Sequence, residues 1–582
     1  MGINRLWMIG LMTVGLAIAG TSYAEESAWF QDVTAKAGID FKHNNRSFKN
    51  VYGNIMEGYT SLGASVAVAD YDGDGFEDLF LTDSEELGKN RLYRNKGNFT
   101  FVDVGEKAGV SKGNDATNAS ANALWFDYNS DRRPDLLVLR FGHNILYENQ
   151  GDGTFQDVTK KAGLGIPYLN CIVAISFDYD LDGDQDLVLG NYFQPVDLFN
   201  PSTPNFFPES FETANNGGGV MLYRNNGGIF EDVTEKAGLQ LSGWTLDLGH
   251  ADVDHDGDED LYVAADFGTD RLFLNNGDGT FADVTKEAIG IDTKKGMNAD
   301  WGDFNNDGLF DMFVTNITDE YMREGNFLWQ NNGDGTFFDV SRETGTYDTG
   351  WGWAGKFFDY DNDGWQDLYV VNGWVSGGKA NYVVDIFELI VQPNVDLSDA
   401  RNWPPMGDKT LSGYQENCLF HNQGGLFKNE AKRHGVNSKL DGRGVAIADF
   451  DNDGRLDMYV SNANAKGFLF QNVQPTSNHW VQFVLEASYP SPVGTRVWVQ
   501  INGQKHVGFV NGGNGFASQS TMRVHFGLGD VAQVEEVEVV WPSGKKQTFE
   551  NISSNQIYRI EEGKKALKPF KPKNTTATQN GK

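Results

Sequence analysis

Short β-prone runs alternate along the chain with tight clusters of Asp, Asn and Gly. Runs such as Ser65-Val-Ala-Val-Ala69 and Val173-Ala-Ile-Ser-Phe177 enter these clusters, and Leu-Phe-Leu-Thr (79–82), Leu-Val-Leu-Gly (187–190) or Leu-Tyr-Val-Ala (261–264) leave them. Strand-forming residues on both sides of a polar turn predict a hairpin at each cluster. A second phrase follows each one: Leu-Tyr-Arg-Asn at 92–95 and 222–225, Leu-Tyr-Glu-Asn at 146–149, Leu-Phe-Leu-Asn at 272–275, Leu-Trp-Gln-Asn at 328–331, Leu-Phe-His-Asn at 419–422 and Leu-Phe-Gln-Asn at 469–472. Most run on through a Gly-rich turn into a Phe-x-Asp-Val phrase, as at Phe155-Gln-Asp157-Val, which predicts a second hairpin per unit. The acidic clusters start 57, 51, 74, 51, 56 and 90 residues apart. A shortest period near fifty fits a four-stranded unit, so the pattern predicts an all-β chain built as a seven-bladed β-propeller.

The two chain ends bear on closure. The last Leu-Phe-Gln-Asn has no Phe-x-Asp-Val partner downstream, while an orphan Phe30-Gln-Asp32-Val-Thr stands near the start. Pairing of the two would build the last blade from both ends and remove open sheet edges. Beyond residue 472 the pattern changes. Arg496-Val-Trp-Val-Gln-Ile and Val534-Glu-Glu-Val-Glu-Val-Val-Trp alternate with period two, and Asn502-Gly503 marks a hairpin turn, so residues 473–562 read as a separate small β domain. The basic, Pro-containing stretch 563–582 reads as a disordered tail.

The clusters themselves carry the chemistry. Positions 1, 3, 5 and 9 are Asp70, Asp72, Asp74 and Asp78 in the first loop, and Asp127, Asn129, Asp131 and Asp135 in the second. They continue as Asp178, Asp180, Asp182, Asp186; Asp252, Asp254, Asp256, Asp260; Asp303, Asn305, Asp307, Asp311; Asp359, Asp361, Asp363, Asp367; and Asp449, Asp451, Asp453, Asp457. Hard cations take six to eight oxygens, and alternate residues of a tight loop can aim theirs at one point, so these loops predict up to seven Ca²⁺ sites. Gly at position 6 permits the turn in six copies; Arg132 replaces it in the second, which makes that site the weakest. An EF-hand would place Glu at position 12 and continue into a helix, whereas position 12 is Leu81, Leu189 and Val263 in three copies.

With these motifs in view, the repeats resemble FG-GAP (VCBS-type) repeats over residues 28–472, and Asn478-His-Trp-Val, Val524-His-Phe-Gly-Leu-Gly529 and Val539-Val-Trp541-Pro-Ser-Gly544 resemble the ASPIC/UnbV domain. Together they are similar to the cartilage acidic protein family in a bacterial form, departing from it in a contracted Ala487–Gly494 segment and in lacking an EGF-like module. The resemblance implies a secreted, calcium-binding, integrin-α-like propeller and implies no fixed molecular activity.

Compartment and charge limit the partners. Asn4-Arg5, an apolar run from Leu6 to Gly20 and Ser22-Tyr-Ala24 predict a signal peptide over 1–24, hence a secreted or periplasmic mature chain of residues 25 onward with no lipid anchor. No later segment is apolar enough to insert in a membrane. Cys171 and Cys418 fall in distant units, which disfavours a disulfide. With 47 basic and 81 acidic residues the net charge is −34; seven Ca²⁺ would add 14 and leave −20. That excludes nucleic acid as a direct ligand, and we expect a monomer.

Two periods are stretched, by residues 192–218 and 373–416, which predicts long loops on one rim carrying Phe206, Phe207, Tyr382, Phe387 and Trp403. The expected function is therefore recognition of an extracellular protein or glycan. Two alternatives stand beside it: an extracellular carbohydrate-active lyase or hydrolase, and a structural cell-surface scaffold. No His-Glu-x-x-His motif occurs, and no catalytic residue is assigned. Trp244, Trp301, Trp351, Trp353 and His250 recur near the ring centre, as blade-packing core or as a sugar platform at the axial mouth; a buried His or Arg beside a carboxylate there would favour the enzyme.

Overall fold

The computed structural model describes residues 28–48, 53, 62–165, 167–205, 207–488, 491–513 and 515–573. The leader reading of 1–24, Phe206 and the end of the chain from 574 lie outside them. Among the described residues, strand pairing resolves into seven four-stranded antiparallel units, one per acidic loop. The first runs Val66–Ala69, Asp78–Leu81, Arg91–Asn95, Phe101–Asp103. Each acidic loop is the turn between a unit's first and second strands, as the hairpin pattern predicts. Those first strands are buried almost throughout and touch one another in a closed cycle, from Val66–Ala69 round to Gly442–Ala448 and back. The arrangement is a nearly all-β propeller. The second and third units are further stitched into one continuous sheet where Leu169–Phe177 pairs with Asp135–Gly142.

The ring closes through the N-terminal strand. Phe30–Asp32 pairs antiparallel with Phe468–Asn472, with Phe30 opposite Asn472, so the seventh unit takes its outer strand from the start of the chain. Val33, Ala37 and Ile39 then pack with Val66, Leu79 and Leu469, tying the first unit to the last.

Residues 479–569 form two four-stranded sheets, one around His479–Glu486 and one around Arg496–Ile501, packed over Val481, Phe483, Val497, Val499, Val537 and Ile560. Asn502 and Gly503 both take positive φ (51° and 79°), the signature of a two-residue hairpin turn. This domain covers the rim that carries the acidic loops: Arg523 pairs with Glu77 at 3.0 Å, Gln482 donates to Asp449 at 3.0 Å and His525 to Asn362 at 2.7 Å.

It is also less separate than its sequence reads. Residues 510–513 and 515–521 leave it and enter the axis of the ring. Gly512 O accepts from Ser176 N (2.8 Å), Ala517 O from Val66 N (3.1 Å), Ser518 Oγ from Val445 N (2.9 Å), and Gln519 bridges Trp125 N and O at 2.7 and 2.9 Å. Phe516 N donates to Asn298 Oδ1 at 3.1 Å, and the Phe516 ring meets Trp353 at 5.1 Å. First strands of a propeller face the axis with unpaired backbone groups, and buried polar groups need partners. The loop supplies them.

The tail reading also needs correction. Lys568–Pro569 pairs with Gln556–Glu561, and Lys573 N donates to Asp74 O at 2.7 Å, so 563–573 is docked against the first acidic loop. Its Lys and Pro content suggested disorder, but Phe570 anchors it under Arg523 and Arg559, each about 5 Å from the ring centre. Cys171 and Cys418 are buried and unbonded.

Candidate metal centres

Each acidic loop is a set of carboxylates pinned by backbone N–H groups. Position 4 takes left-handed φ in all seven, from 57° at Asn306 to 66° or less elsewhere, and position 6 does so too, with Arg132 at φ 66° where the others have Gly. The double reversal folds the loop back so that position 1 can accept from positions 5 and 6. Asp70 takes Asp74 N and Gly75 N at 2.9 and 2.8 Å; Asp303 takes Asp307 N and Gly308 N at 3.0 Å each; Asp449 takes Asp453 N and Gly454 N at 3.0 and 2.8 Å. Position 5 accepts from the N–H of position 7 in all seven, as in Trp365 N to Asp363 at 2.8 Å and Leu309 N to Asp307 at 2.9 Å.

Carboxylate oxygens of positions 1, 3 and 9 converge within 4.8 Å in Asp70/Asp72/Asp78, Asp178/Asp180/Asp186 and Asp252/Asp254/Asp260, and those of positions 1, 3 and 5 do so in Asp359/Asp361/Asp363. Burial, with help from the neighbouring carboxylates, pushes Asp70 and Asp178 up to about 7, Asp260 to about 8 and Asp186 to about 9. Asp78, Asp311, Asp367 and Asp457 are driven well above the usual carboxylate range, burial again being the largest cause. Oxygens of Asp178, Asp180, Asp311 and Asp451 are buried without a partner among the described residues. Desolvated, convergent and orphaned oxygens are the donor set a hard divalent cation fits.

Four loops carry a cation from their own unit. Arg94 pairs with Asp72 (2.6 Å) and Asp74 (2.9 Å) in the first, Arg133 with Asp131 in the second, Arg224 with Asp180 (3.9 Å) in the third and Arg455 with Asp453 in the seventh. In the fourth, Arg496 of the C-terminal domain meets Asp252. In the sixth, the His421 imidazole stands 3.3 Å from Asp367 and 3.7 Å from Asp361. Sequence reading passed over these residues because the arginines at position 7 or in Leu-Tyr-Arg-Asn look like surface charge.

It also missed the role of the Asn that ends each Leu-x-x-Asn phrase. Its backbone N–H donates to the position 9 carboxylate in every unit, at 2.7–2.9 Å: Asn95 to Asp78, Asn149 to Asp135, Asn225 to Asp186, Asn275 to Asp260, Asn331 to Asp311, Asn422 to Asp367 and Asn472 to Asp457. Its side chain donates to the carbonyl at loop position 2 of the preceding unit, at 2.7–3.0 Å. Asn149 reaches Tyr71, Asn225 Tyr128, Asn275 Tyr179, Asn331 Val253, Asn422 Phe304, Asn472 Tyr360, and Asn95 completes the circle on Phe450. Seven clamps thus link neighbouring loops all the way round.

The ring-centre candidates are core. Trp244, Trp301, Trp351 and Trp353 are buried. His250 is fully buried; its Nδ1 donates to Glu259 at 2.6 Å and its Nε2 accepts from Gly512 N at 2.9 Å, so the axial loop seals it. His255, at loop position 4, takes φ 64°.

On the opposite rim the two insertions meet. Phe207 and Trp403 lie 5.7 Å apart, and Asn205 donates to Ser398 O across the seam. A nine-residue helix, Tyr382–Ile390, starts where the Asn381 side chain caps Val383 N at 3.0 Å. No helix among the described residues is long and apolar enough to cross a membrane.

Comparison with known proteins agrees with this architecture. The FG-GAP-like repeat model matches residues 70–138, 127–189, 252–314 and 316–370, and the ASPIC and UnbV model matches 486–567. Cartilage acidic protein 1 of Xenopus tropicalis is 28% identical over 257 residues, covering 38% of this chain and 38% of that protein. The human protein is 26% identical over 267 residues (41% and 40%) and the Mus musculus protein 24% over 344 (52% and 51%), so the matches span about half or less of these relatives. Among solved structures, an Agrocybe aegerita lectin that recognises non-reducing terminal N-acetylglucosamine shows 18% identity over 69% of this chain and 87% of that one, with a TM-score of 0.36. BBS1N in complex with ARL6DN shows 10% identity over 78% and 99%, with a TM-score of 0.41. The chain carries FG-GAP-like repeats along its propeller and an ASPIC and UnbV domain at its C-terminal end, with weak homology to cartilage acidic protein 1.

Proposed function

We propose that the protein is an exported, calcium-loaded propeller that recognises an extracellular protein or glycan with the face bearing its two insertions. The observation that carries this reading is the exposed apolar surface there. Phe211, Val384, Phe387, Ile390 and Val391 are each 47–77% exposed, while the opposite rim is covered by the C-terminal domain. Contiguous exposed apolar side chains rimmed by polar ones mark interaction sites. Calcium supplies rigidity: the orphaned carboxylate oxygens in the loops need a cation, and the protein's strong acidity is lessened by up to seven of them.

The enzymatic alternative asked for a buried His or Arg beside a carboxylate at the axis. His250 and Glu259 meet that description, but the bond from Gly512 N makes their contact a docking point for the C-terminal domain.

The test is a glycan array and a panel of purified extracellular matrix proteins, probed with calcium-loaded protein and with a Val384→Ser/Val391→Ser variant. Binding that falls at least tenfold in the variant and disappears with chelator supports the reading. Binding by neither, or equal binding by both, overturns it.

A further inference from the structure

Beneath the rim, between the two insertions and the ring, lies a cavity of about 290 Å³. That is at the small end of the range for small-molecule pockets, ~300–1,000 Å³. Its walls are aromatic faces contributed by four different segments. Trp351 and Trp374 stack at 4.3 Å, Tyr321 lies 6.4 Å from Trp351, and Trp353 forms the floor, backed by Phe516 of the axial loop. Phe211, Phe387 and Ile390 line it and are also about half exposed, so the cavity opens to solvent between the first insertion and the helix Tyr382–Ile390.

Three polar groups punctuate this apolar wall, and their bonding defines what could enter. Lys295 is already engaged: its Nζ donates to Phe211 O at 2.9 Å and lies 3.4 Å from both Thr293 O and Glu324 Oε1. An anionic ligand would find that charge answered. Asp266 accepts from the Tyr192 hydroxyl and feels the nearby Lys295, so a cationic ligand would compete with a charge already in place. A carboxylate keeps further acceptor capacity after one such bond. Trp351 Nε1–H is a buried donor with no partner among the described residues. An unpaired buried donor is costly, so it calls for an acceptor from outside the chain.

We propose that this cavity is a binding site for a neutral, largely hydrocarbon or aromatic small molecule bearing hydroxyl groups. Aromatic walls take its body, Trp351 donates to a hydroxyl oxygen, and Asp266 accepts from a hydroxyl hydrogen. The site is distinct from the metal loops on the far rim; it lies beneath the outer surface, sharing Phe211, Phe387 and Ile390 with it, and it stands whether or not that surface binds a protein or glycan.

N-phenyl-1-naphthylamine, a neutral aromatic amine whose fluorescence rises in apolar surroundings, serves as the reporter. One equivalent should bind the full chain, and 1-decanol should displace it at least tenfold more effectively than decanoate or decyltrimethylammonium. Ile386→Trp fills the cavity from the helix and should weaken the probe at least tenfold while thermal unfolding shows the fold retained. Asp266→Asn should leave the probe within a few-fold but shrink the advantage of the alcohol over the charged chains. Loss of probe binding in Val391→Asp, which alters only the outer surface, with Ile386→Trp unaffected, would place the probe outside the cavity and overturn the proposal. Stronger displacement by either charged chain, or no saturable binding, would overturn it as well.

Discussion

Asn275 does two things that its four-letter phrase conceals. Its N–H holds Asp260 in the fourth loop, and its side chain reaches Tyr179 O in the third, 96 residues away. Truncation in Asn275→Ala keeps the first bond and strips a buried carbonyl of its donor, which costs about 1–3 kcal/mol. Denaturant unfolding should show that loss, whereas Asn276→Ala, on the exposed side of the same turn, should stay within about 0.5 kcal/mol. The pattern was legible as a repeat, since Leu-x-x-Asn with an aromatic second residue recurs seven times. Its bond was not, because the partner is a backbone carbonyl one unit back and a carbonyl has no letter. The acidic residues were legible for the opposite reason: four oxygens at fixed offsets are written in the side chains themselves. Their titration makes a second prediction. An Asp at about 3.8 when unfolded and about 9 when folded, as for Asp186, binds a proton more tightly in the native state. That contribution to stability is complete below about pH 4 and is lost as pH rises toward 9. Metal-free protein in chelator should therefore melt higher at pH 5.5 than at pH 8.5. Loaded protein should reverse the order, because metal needs the carboxylates deprotonated. Calorimetry at the two pH values decides; a chelated protein more stable at pH 8.5 would contradict the burial of these groups.

At the scale of elements, the three residues Phe30–Asp32 complete the last unit and, with Val33 to Ile39, pack it onto the first. A seventh unit without them would leave Phe468–Asn472 as an open edge. Deleting residues 28–36 should lower the thermal midpoint of the whole ring, and a truncate that melts with the full chain would refute closure by this strand. This pairing was readable from two orphans, a phrase lacking its partner and a partner lacking its phrase. The axial loop had no such signature. Residues 510–521 read Val-Asn-Gly-Gly-Asn-Gly-Phe-Ala-Ser-Gln-Ser-Thr, the composition of a surface turn, and only the seven strands around it give those small polar residues their partners. The same blindness misplaced the tail, whose anchor is a single Phe570 among lysines and prolines.

For the whole molecule, that loop joins propeller and C-terminal domain into one unit. Gly512 shows how close the fit is: a Cβ there would lie 1.7 Å from Ser176 O, against backbone that cannot yield cheaply. Gly512→Val should unseat the loop, since its side chain would press on Ser176 O on one side and on Val493 of the C-terminal domain on the other. Its cost is that of overpacking, about 1–3 kcal/mol, but its clearer sign is cooperativity. The full chain should unfold in a single calorimetric transition, and the variant in two, as the C-terminal domain and ring come apart. Calcium at the proposed sites would act on the same joint, since the domain rests on the loops through Arg523, Gln482 and His525. Each site filled at a hundred times its Kd adds about 2.7 kcal/mol to the folded state. Emptying the loops lets like charges about 4 Å apart repel by about 4 kcal/mol at an effective dielectric of 20. The footing of the domain then loosens before the ring itself melts. Limited proteolysis follows this directly: chelator should expose 510–523 to cleavage in the native-sequence chain, Gly512→Val should show the same cuts with calcium present, and readdition of calcium should protect only the former. Equal protection of both chains with calcium would mean that the loop is not what couples the two halves.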